Sequence, residues 1–387
     1  MTGGRRPLVL DVTRTISRAG LGPPTGVDRV ERAWIERALD GPLGDGREAA
    51  FAARIGSGLH FVGAEAMRGL LAALDGAAPP PAPDLRSRFS LRRTPFQRRI
   101  ESGLRQARRA PPEAFLYANV GHANLTPERL AAMRAAGAAR VVATIHDAIP
   151  LTHPEFARPD GPARMAARLR AAEAADGAIY NSAHTRSVAE ARMTAPPPGL
   201  VAPLGIDPPG PAGPRHGGFV VLGTIEPRKN HALLLEVWNA WAQAPTLHIV
   251  GRRGWMNEAV FARLDAKPAG VVEHGALDDA AATALLSGAR ALLMPSFAEG
   301  YGLPLAEALA RGVPVVAADL PALREVGGDA PLWLPPDDPG AWRAAIEALA
   351  SDGPARDAWL AAIAGWRAPR WEDCFAAVER FLNDLDP

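Results

Sequence analysis

Short apolar runs alternate with helical stretches rich in alanine, leucine and arginine along most of this 387-residue chain. Examples of the apolar runs lie at residues 140–145, 177–180, 219–223 and 246–250. Continuous apolar runs are typical of parallel strands that are buried on both faces, and the stretches between them are long enough to be crossover helices. The alternation therefore predicts an α/β fold with doubly wound parallel sheets.

A segment rich in proline and glycine divides the chain. Residues 196–218 contain eight prolines and six glycines in 23 positions, which neither a helix nor a strand can accommodate for long. We predict an N-terminal domain at residues 1–205 and a C-terminal domain at 206–387, both Rossmann-like and facing each other across a cleft. We also expect the last helix to pack back on the N-terminal domain.

Charge and cysteine content exclude several classes of protein. A formal net charge of +1 argues against a nucleic-acid partner, and Cys374 as the single cysteine excludes a disulfide or a cysteine-based metal site within one chain. No apolar run approaches the roughly 18 residues that a membrane span needs. A cytoplasmic protein is the expectation from these features.

A proline-rich stretch at 77–84 leads into a basic segment at 86–109, which holds nine arginines and one glutamate. We predict a basic insertion near 77–109 on the surface of the N-terminal domain, with a helix that Thr94 caps. Its apolar positions share one face: Phe96, Ile100 and Leu104. Such a helix can lie on an anionic membrane through its arginines, or it can pack its apolar face on the domain.

Two glutamates, Glu299 and Glu307, lie in the segment EGYGLPLAE between apolar runs at 289–294 and 313–318. The two runs read as buried strands, and Pro304 suits the first turn of a helix between them. The loop before that helix faces the ligand crevice of an open α/β sheet, and the start of the helix offers free N–H groups to an anion. The residues placed to supply those groups are Tyr301, Gly302 and Leu303.

Lysine is rare in this chain. Of 43 basic residues, only Lys229 and Lys267 are lysines. Lysine presents a compact point charge where arginine presents a planar fork, so a pocket shaped around one phosphate oxygen can require it. Arg228 and Lys229 follow the strand predicted at 219–223 and precede a helix expected to begin near Asn230. They mark a second strand-to-helix crevice, unless they form only a solvated basic pair.

These segments resemble motifs of the GT-B fold glycosyltransferases, specifically the GT4 group of retaining, nucleotide-sugar-dependent enzymes. The segment GTIEPRKN from Gly223 is similar to the family's phosphate-binding segment, and Glu299 with Glu307 matches its E-x7-E signature. The glycine-rich stretch from Gly20, followed by a helix, is similar to the family's N-terminal loop. Many members have arginine where this chain has Thr224, which leaves Arg228 and Lys229 to carry the phosphate charge.

The resemblance implies a role for each candidate residue. Glu299 would hold hydroxyls of the transferred sugar, Glu307 the ribose diol, and His146 would contact the donor sugar near its anomeric carbon. The other implied donor-binding positions, besides Arg228 and Lys229, are Gly26, Gly223, Gly300, Tyr301, Gly302 and Leu303. From the residues alone, His146 bound to a backbone carbonyl and Gly26 in a ligand-free tight turn remain alternatives.

The expected function is transfer of a hexose, mannose or a similar sugar, from a nucleoside diphosphate carrier to a hydroxyl of a glycan or lipid-linked glycan in cell-surface polysaccharide synthesis. The resemblance implies retention of anomeric configuration, and neither a cofactor nor a metal is expected beside the nucleotide-sugar donor. Gly20, Gly22 and Gly26 also form a weak dinucleotide-binding pattern, so an NAD-dependent oxidoreductase is an alternative. A non-catalytic anion-binding protein acting through residues 86–109 is another.

Overall fold

The computed structural model describes residues 5–41, 46–76, 94–123, 125–210 and 213–386. Within them the chain forms two α/β domains, each built on one sheet whose strands are mostly or entirely parallel. The predicted α/β class, with two doubly wound domains, is confirmed.

The first domain has one sheet with helices on its faces. Its strands are β1 (Leu8–Asp11), β2 (Ala49–Ile55), β3 (Gly58–Val62), β4 (Phe115–Asn119), β5 (Ala138–Ile145), β6 (Gly177–Tyr180) and β7 (Gly199–Val201). Its helices are α1 (Thr13–Arg18), α2 (Gly26–Leu39), α3 (Ala64–Asp75), α4 (Pro95–Gln106), α5 (Pro127–Ala135), α6 (Ile149–Thr152), α7 (Gly161–Glu173) and α8 (Ala183–Glu190). The described strands lie in the order β3-β2-β1-β4-β5-β6-β7, and β3 runs antiparallel to β2.

The second domain has a parallel sheet. Its strands are β8 (Phe219–Leu222), β9 (Leu247–Val250), β10 (Val271–Gly275), β11 (Ala291–Met294), β12 (Val315–Ala318) and β13 (Leu332–Leu334). The helices that follow β7 are α9 (His231–Asn239), α10 (Glu258–Asp265), α11 (Asp279–Ser287), α12 (Leu303–Ala310), α13 (Pro321–Gly327), α14 (Pro339–Ala350), α15 (Pro354–Ala364) and α16 (Trp371–Leu385). The described strands lie in the order β10-β9-β8-β11-β12-β13.

Helix α16 packs on the first domain, although it follows the second in sequence. Its apolar side chains join the first domain's core, where the rings of Trp34 and Phe375 meet edge to face at 5.8 Å. The chain passes from the first domain to the second near Ile206 and returns near Pro369. These two crossings touch, because the Ile206 N–H donates to the Pro369 carbonyl at 3.2 Å. A Cβ at Gly205 would lie 2.2 Å from the backbone nitrogen of Trp371. The crossings are therefore packed backbone against backbone.

Helix α4 carries the described part of the predicted basic insertion, whose residues 77–93 lie outside the described residues. Thr94 caps the helix as expected: its Oγ1 accepts from the Gln97 N–H at 3.0 Å. Leu104 is 4% exposed in the core of the first domain, and Ile100 packs against the same core. The apolar face therefore lies on protein, while Arg98, Arg99 and Arg105 are exposed. Among the described helices, none is both long and apolar enough to cross a membrane.

Helix α2 buries a carboxyl group, Glu31, which is 1% exposed. Its Oε1 accepts from the N–H and the hydroxyl of Thr15, and Oε2 has no hydrogen-bond partner among the described residues. Burial raises the pKa of Glu31 to about 8, although the Thr15 hydrogen bonds oppose the rise. The carboxyl is therefore mostly protonated at neutral pH.

The raised pKa of Glu31 predicts that the free energy of unfolding falls as pH rises. Its folded pKa lies above the ordinary value of 4.5, so its stabilising contribution is full below about pH 4.5 and is lost as pH rises through about 8. Glutamine resembles the protonated carboxyl, so the Tm of Glu31→Gln should exceed that of the wild type by an amount that grows between those two pH values. The exposed Glu36→Gln is the control. A Tm difference that stays constant across this range would contradict the expectation.

Candidate active site

One cleft lies between the two domains, at the carboxyl ends of the parallel strands of both sheets, and its volume is about 820 Å³. Ligand pockets commonly measure roughly 300–1,000 Å³. Every residue that the sequence singled out for the site lines this cleft: Gly26, His146, Gly223, Arg228, Lys229, Glu299, Gly300, Tyr301, Gly302, Leu303 and Glu307. Segments far apart in sequence thus meet at the edge where open α/β sheets bind ligands.

Glu299 is the centre of a buried charge cluster on the second domain. Its two carboxylate oxygens accept separately: Oε1 from Lys229 Nζ and Oε2 from Arg228 Nη1 at 2.9 Å. The hydroxyl of Ser296 also donates to Oε1 at 2.7 Å. Arg228 makes a further ion pair through Nε with Glu226, at 2.6 Å. Both cations assigned to the phosphates are therefore already paired with carboxylates of the same domain.

These contacts keep Glu299 ionised in spite of its burial. Burial by itself raises the pKa of the Glu299 carboxyl, but Lys229 and Arg228 outweigh burial and hold that pKa at about 2. Burial lowers the pKa of Lys229, and Glu299 opposes that change. A buried, ionised carboxylate between two cations can accept hydrogen bonds from sugar hydroxyls, and its partners can turn toward an incoming anion.

The backbone around Lys229 explains how the lysine reaches Glu299. Residues Pro227–Lys229 form a turn of 3₁₀ helix, and Asn230 adopts a left-handed conformation with φ of 53°. The side-chain amide of Asn230 fixes this turn by donating to the carbonyls of Pro295 and Pro336 at 3.1 and 2.7 Å. The helix expected near Asn230 therefore begins at His231. Lys229 lies in the turn before it, with its side chain directed toward Glu299.

Glu307 lies on α12, and its side chain is 14% exposed. Its carboxylate pairs with Arg29 of α2, which belongs to the other domain. An arginine across the cleft therefore compensates the charge of this largely buried carboxylate. Arg29 also lies 3.6 Å from the exposed Asp207. The sequence analysis did not predict a role for Arg29, because nothing in the sequence distinguishes it from the many other arginines of the chain.

The loop before α12 also contacts the first domain closely. A Cβ at Gly300 would lie 2.3 Å from the His146 carbonyl oxygen, so only glycine fits this approach. The Gly300 carbonyl accepts from the hydroxyls of Ser182 and Thr185 at 2.9 and 3.1 Å. The Tyr301 hydroxyl donates to the Leu204 carbonyl at 2.6 Å. The loop is thus positioned by the first domain.

Helix α12 begins directly after this loop. Gly302 precedes it with φ of 101°, and Leu303 is its first residue. The first N–H groups of a helix have no partner within the helix. Those near Leu303 therefore face the cleft at a place where an anion would be stabilised.

His146 is 4% exposed, directly after β5. Its Nε2 lies 2.7 Å from the Val120 carbonyl, so that nitrogen carries the proton and donates. Burial lowers the pKa of His146 to about 4, which leaves the ring neutral at physiological pH. The contact with a backbone carbonyl is therefore present, and the ring also lines the cleft.

Gly26 is the first residue of α2. It lies outside the left-handed region, and a Cβ there would contact only the Leu303 side chain at 3.6 Å. A tight turn does not require this glycine. Helix α1 separates β1 from the glycines at 20, 22 and 26. The direct strand-to-helix turn of a dinucleotide-binding motif is therefore absent from this described segment.

Curated proteins with known functions are similar to part of the chain. Residues 217–352 match the family model described as Glycosyl transferases group 1. Over 165 residues the chain is 32% identical to the O-antigen chain mannosyltransferase B of Escherichia coli, covering 41% of this chain and 43% of that protein. Over 161 residues it is 34% identical to a phosphatidyl-myo-inositol mannosyltransferase of Mycobacterium leprae, covering 38% of this chain and 41% of that protein. The chain spans less than half the length of these relatives.

Solved structures match almost the whole chain in fold. A sucrose-phosphate synthase from Thermosynechococcus elongatus has a TM-score of 0.66 at 16% identity, covering 98% of this chain and 99% of that one. The Anabaena HepE protein in complex with UDP has a TM-score of 0.64 at 15% identity, covering 98% of this chain and all of that one. At such low identity the likeness shows the fold alone, which is the two-domain GT-B architecture.

Proposed function

We propose that the protein is a hexosyltransferase, because residues 217–352 match the family model described as Glycosyl transferases group 1 and the chain has the GT-B fold. It moves mannose or a similar hexose from a nucleoside diphosphate sugar to a hydroxyl of a glycan or lipid-linked glycan, with retention. Its place is cell-surface polysaccharide synthesis, in the cytoplasm at the inner face of the membrane. The mannosyltransferases that resemble part of the chain support the choice of sugar.

The observation that carries this proposal is the pairing of two carboxylates with cations at one cleft. Glu299, in the loop before α12, lies between Arg228 and Lys229. Glu307, on α12 itself, is paired with Arg29. A nucleotide sugar has hydroxyls at both ends and two phosphates between them. We assign the sugar hydroxyls to Glu299 and the ribose diol to Glu307, as the family resemblance implies.

The reaction needs charge stabilisation on the departing diphosphate. Arg228, Lys229 and the N–H groups at the start of α12 supply it from fixed positions, so little reorganisation is needed in the transition state. Within the protein the two cations pair with Glu299 and Glu226. Binding of the donor then shares these cations between carboxylate and phosphate, while sugar hydroxyls donate to Glu299.

A panel of nucleotide sugars and free nucleoside diphosphates tests the proposal by thermal shift. A ligand that binds only the folded state stabilises it by RT ln(1 + [L]/Kd) and so raises Tm. We expect one nucleotide class to raise Tm, and its mannose or similar hexose conjugate to serve as donor to a glycan acceptor. A chain that binds no nucleotide from the panel would end the proposal.

Transfer is expected to need no divalent metal. The one D-x-D match, at Asp384 and Asp386, lies on and after α16, and Asp386 pairs with Arg47 at 2.7 Å on the first domain. Arg228 and Lys229, which line the cleft, are the cations assigned to the phosphates in place of a metal. Initial rates should therefore be equal with and without a chelator. Loss of transfer on chelation, with recovery on adding manganese, would contradict this expectation.

Peripheral association with an anionic membrane is expected through the exposed arginines of α4. Because the apolar face of α4 packs on protein, the attraction is electrostatic, about 1 kcal/mol for each residue near the surface. The protein should float with phosphatidylglycerol vesicles, not with phosphatidylcholine vesicles, and should dissociate as salt rises.

Two charge-matched variants test this association. Changing Arg98, Arg99 and Arg105 to serine should weaken flotation. The control changes three exposed arginines elsewhere to serine: Arg192, Arg215 and Arg370. Equal loss in both variants would show only a response to net charge, and indifference to lipid charge would end the membrane assignment.

A further inference from the structure

A second group of cations surrounds Arg252, which lines the cleft apart from the pair that holds Glu299. It consists of Arg14 and Arg18 of α1, Arg158 after α6, and Arg252 after β9, and we refer to it as the arginine cluster. Arg252 lines the cleft and lies within 3.4 Å of the Leu21 carbonyl in the glycine-rich loop. The cluster therefore draws on both domains.

The arginine cluster contains more positive charge than its neighbours balance. Asp28 pairs with Arg14 at 2.5 Å and with Arg18 at 2.8 Å. Among the described residues, neither Arg158 nor Arg252 has a carboxylate partner, and Arg158 instead stacks on Trp255 at 4.8 Å. Asp28 is therefore the one carboxylate in the described part of the chain that forms ion pairs with any of these four arginines.

Electrostatic effects on neighbouring groups agree with this excess. The pKa of Arg252 is lowered by burial and then by Arg18, Arg14 and Arg158, with Asp28 opposing. Glu31, the other carboxyl that interacts with Arg14, has a pKa of about 8 and is mostly protonated at neutral pH. A multiply charged anion would relieve this repulsion.

Phosphate is the anion that this geometry favours. Guanidinium groups present a planar fork that matches phosphate oxygens in pairs, and several of them together suit a group that carries two or more charges. The donor's own diphosphate is assigned to Arg228, Lys229 and the start of α12. The arginine cluster remains for the other substrate.

We propose that the arginine cluster binds a phosphate or diphosphate group on the acceptor, close to the hydroxyl that receives the sugar. This inference rests on the proposed glycosyltransferase function and adds the chemical class of the acceptor. The phosphate can belong to a lipid carrier or to a phosphorylated sugar. Because Arg252 comes from the second domain and the other three from the first, a bound phosphate also holds the cleft closed.

Calorimetry with three probes tests the proposal on the full chain. The probes are farnesyl diphosphate, inorganic pyrophosphate and glucose 6-phosphate, each titrated with and without a saturating nucleoside diphosphate that fills the donor site. We expect at least one probe to bind in the presence of nucleotide. Arg252→Gln should weaken that binding by about tenfold or more, without weakening nucleotide binding. Arg192→Gln, an exposed arginine elsewhere, should change neither.

A second variant guards against loss of folding. Arg18→Gln leaves Asp28 paired with Arg14, and its Tm reports whether the domain is intact. If both Arg18→Gln and Arg252→Gln fold and still bind the probes as the wild type does, the arginine cluster is not a phosphate site. Probes that bind only when nucleotide is absent would place them in the donor site and would also overturn the proposal.

The probes also identify the source of the phosphate. Tighter binding of farnesyl diphosphate than of pyrophosphate supports a lipid carrier, and tighter binding of glucose 6-phosphate supports a phosphorylated sugar. Equal binding of all three supports a site that recognises phosphate alone. If no nucleotide binds, the proposed function fails, while the titrations without nucleotide still decide whether the cluster binds phosphate.

Discussion

Replacing Lys229 by alanine is expected to lower kcat by about a hundredfold or more, the size of effect seen when one fixed donor to a transition-state charge is removed. Lys229 is buried and donates to Glu299. Alanine would remove a cation from the departing diphosphate and leave Glu299 with Arg228 as its remaining ion-pair partner. The measurement is the rate of transfer from the nucleotide sugar at saturating donor.

The matched control is the other lysine of the chain. Lys267 is exposed after α10, and Lys267→Ala should transfer at the wild-type rate. Lys229→Arg should also lose activity, because the lysine side chain passes close to Gly223 and a wide, planar guanidinium does not replace a compact charge there. Full activity in a folded Lys229→Ala variant would remove the lysine from the mechanism.

Separate effects are expected from the two glutamates. Glu307→Gln should weaken binding of the free nucleoside diphosphate by about 1.5–3 kcal/mol, or roughly tenfold to a hundredfold, because a charge-assisted hydrogen bond to the ribose is lost. Glu299→Gln should lower kcat more than nucleoside diphosphate affinity, because its assigned partners are hydroxyls of the sugar. Calorimetry with the free nucleotide and steady-state kinetics with the nucleotide sugar measure the two effects.

An exposed glutamate of the same domain provides the control for both changes, and Glu236→Gln should alter neither binding nor turnover. Glu307→Gln also frees Arg29, so Arg29→Gln should be measured beside it. If Arg29→Gln reproduces the whole loss, Glu307 acts through the arginine and not on the ribose. Equal effects of Glu299→Gln and Glu307→Gln on nucleotide affinity would contradict their separate roles.

Local patterns predicted the elements that position the site. The apolar runs that flank Glu299, with Pro304 at the start of the helix, correspond to β11, β12 and α12 within about two residues. The strand before Lys229 was predicted to within one residue, because apolar runs and glycines act over short distances in the chain. The 3₁₀ turn that moves the next helix to His231 depends on φ of 53° at Asn230, which no periodic pattern encodes.

Contacts between the domains could not be read from the sequence. The Arg29 to Glu307 pair joins residues 278 positions apart, and the hydroxyls of Ser182 and Thr185 reach a carbonyl more than a hundred positions away. Such pairs follow from how two separately predictable domains dock. For the same reason the sequence did not predict the surroundings of Arg252, whose neighbours in the arginine cluster belong to the other domain.

The paired crossings at Ile206 and Pro369 have a mechanical consequence. Two adjoining backbone segments, hydrogen-bonded to each other, form a short double hinge. A single linker would let the second domain swivel in any direction, whereas two joined linkers favour rotation about one axis and resist torsion and sliding. Cleft opening would then be a rotation about this axis, with the largest displacement at the residues farthest from the hinge.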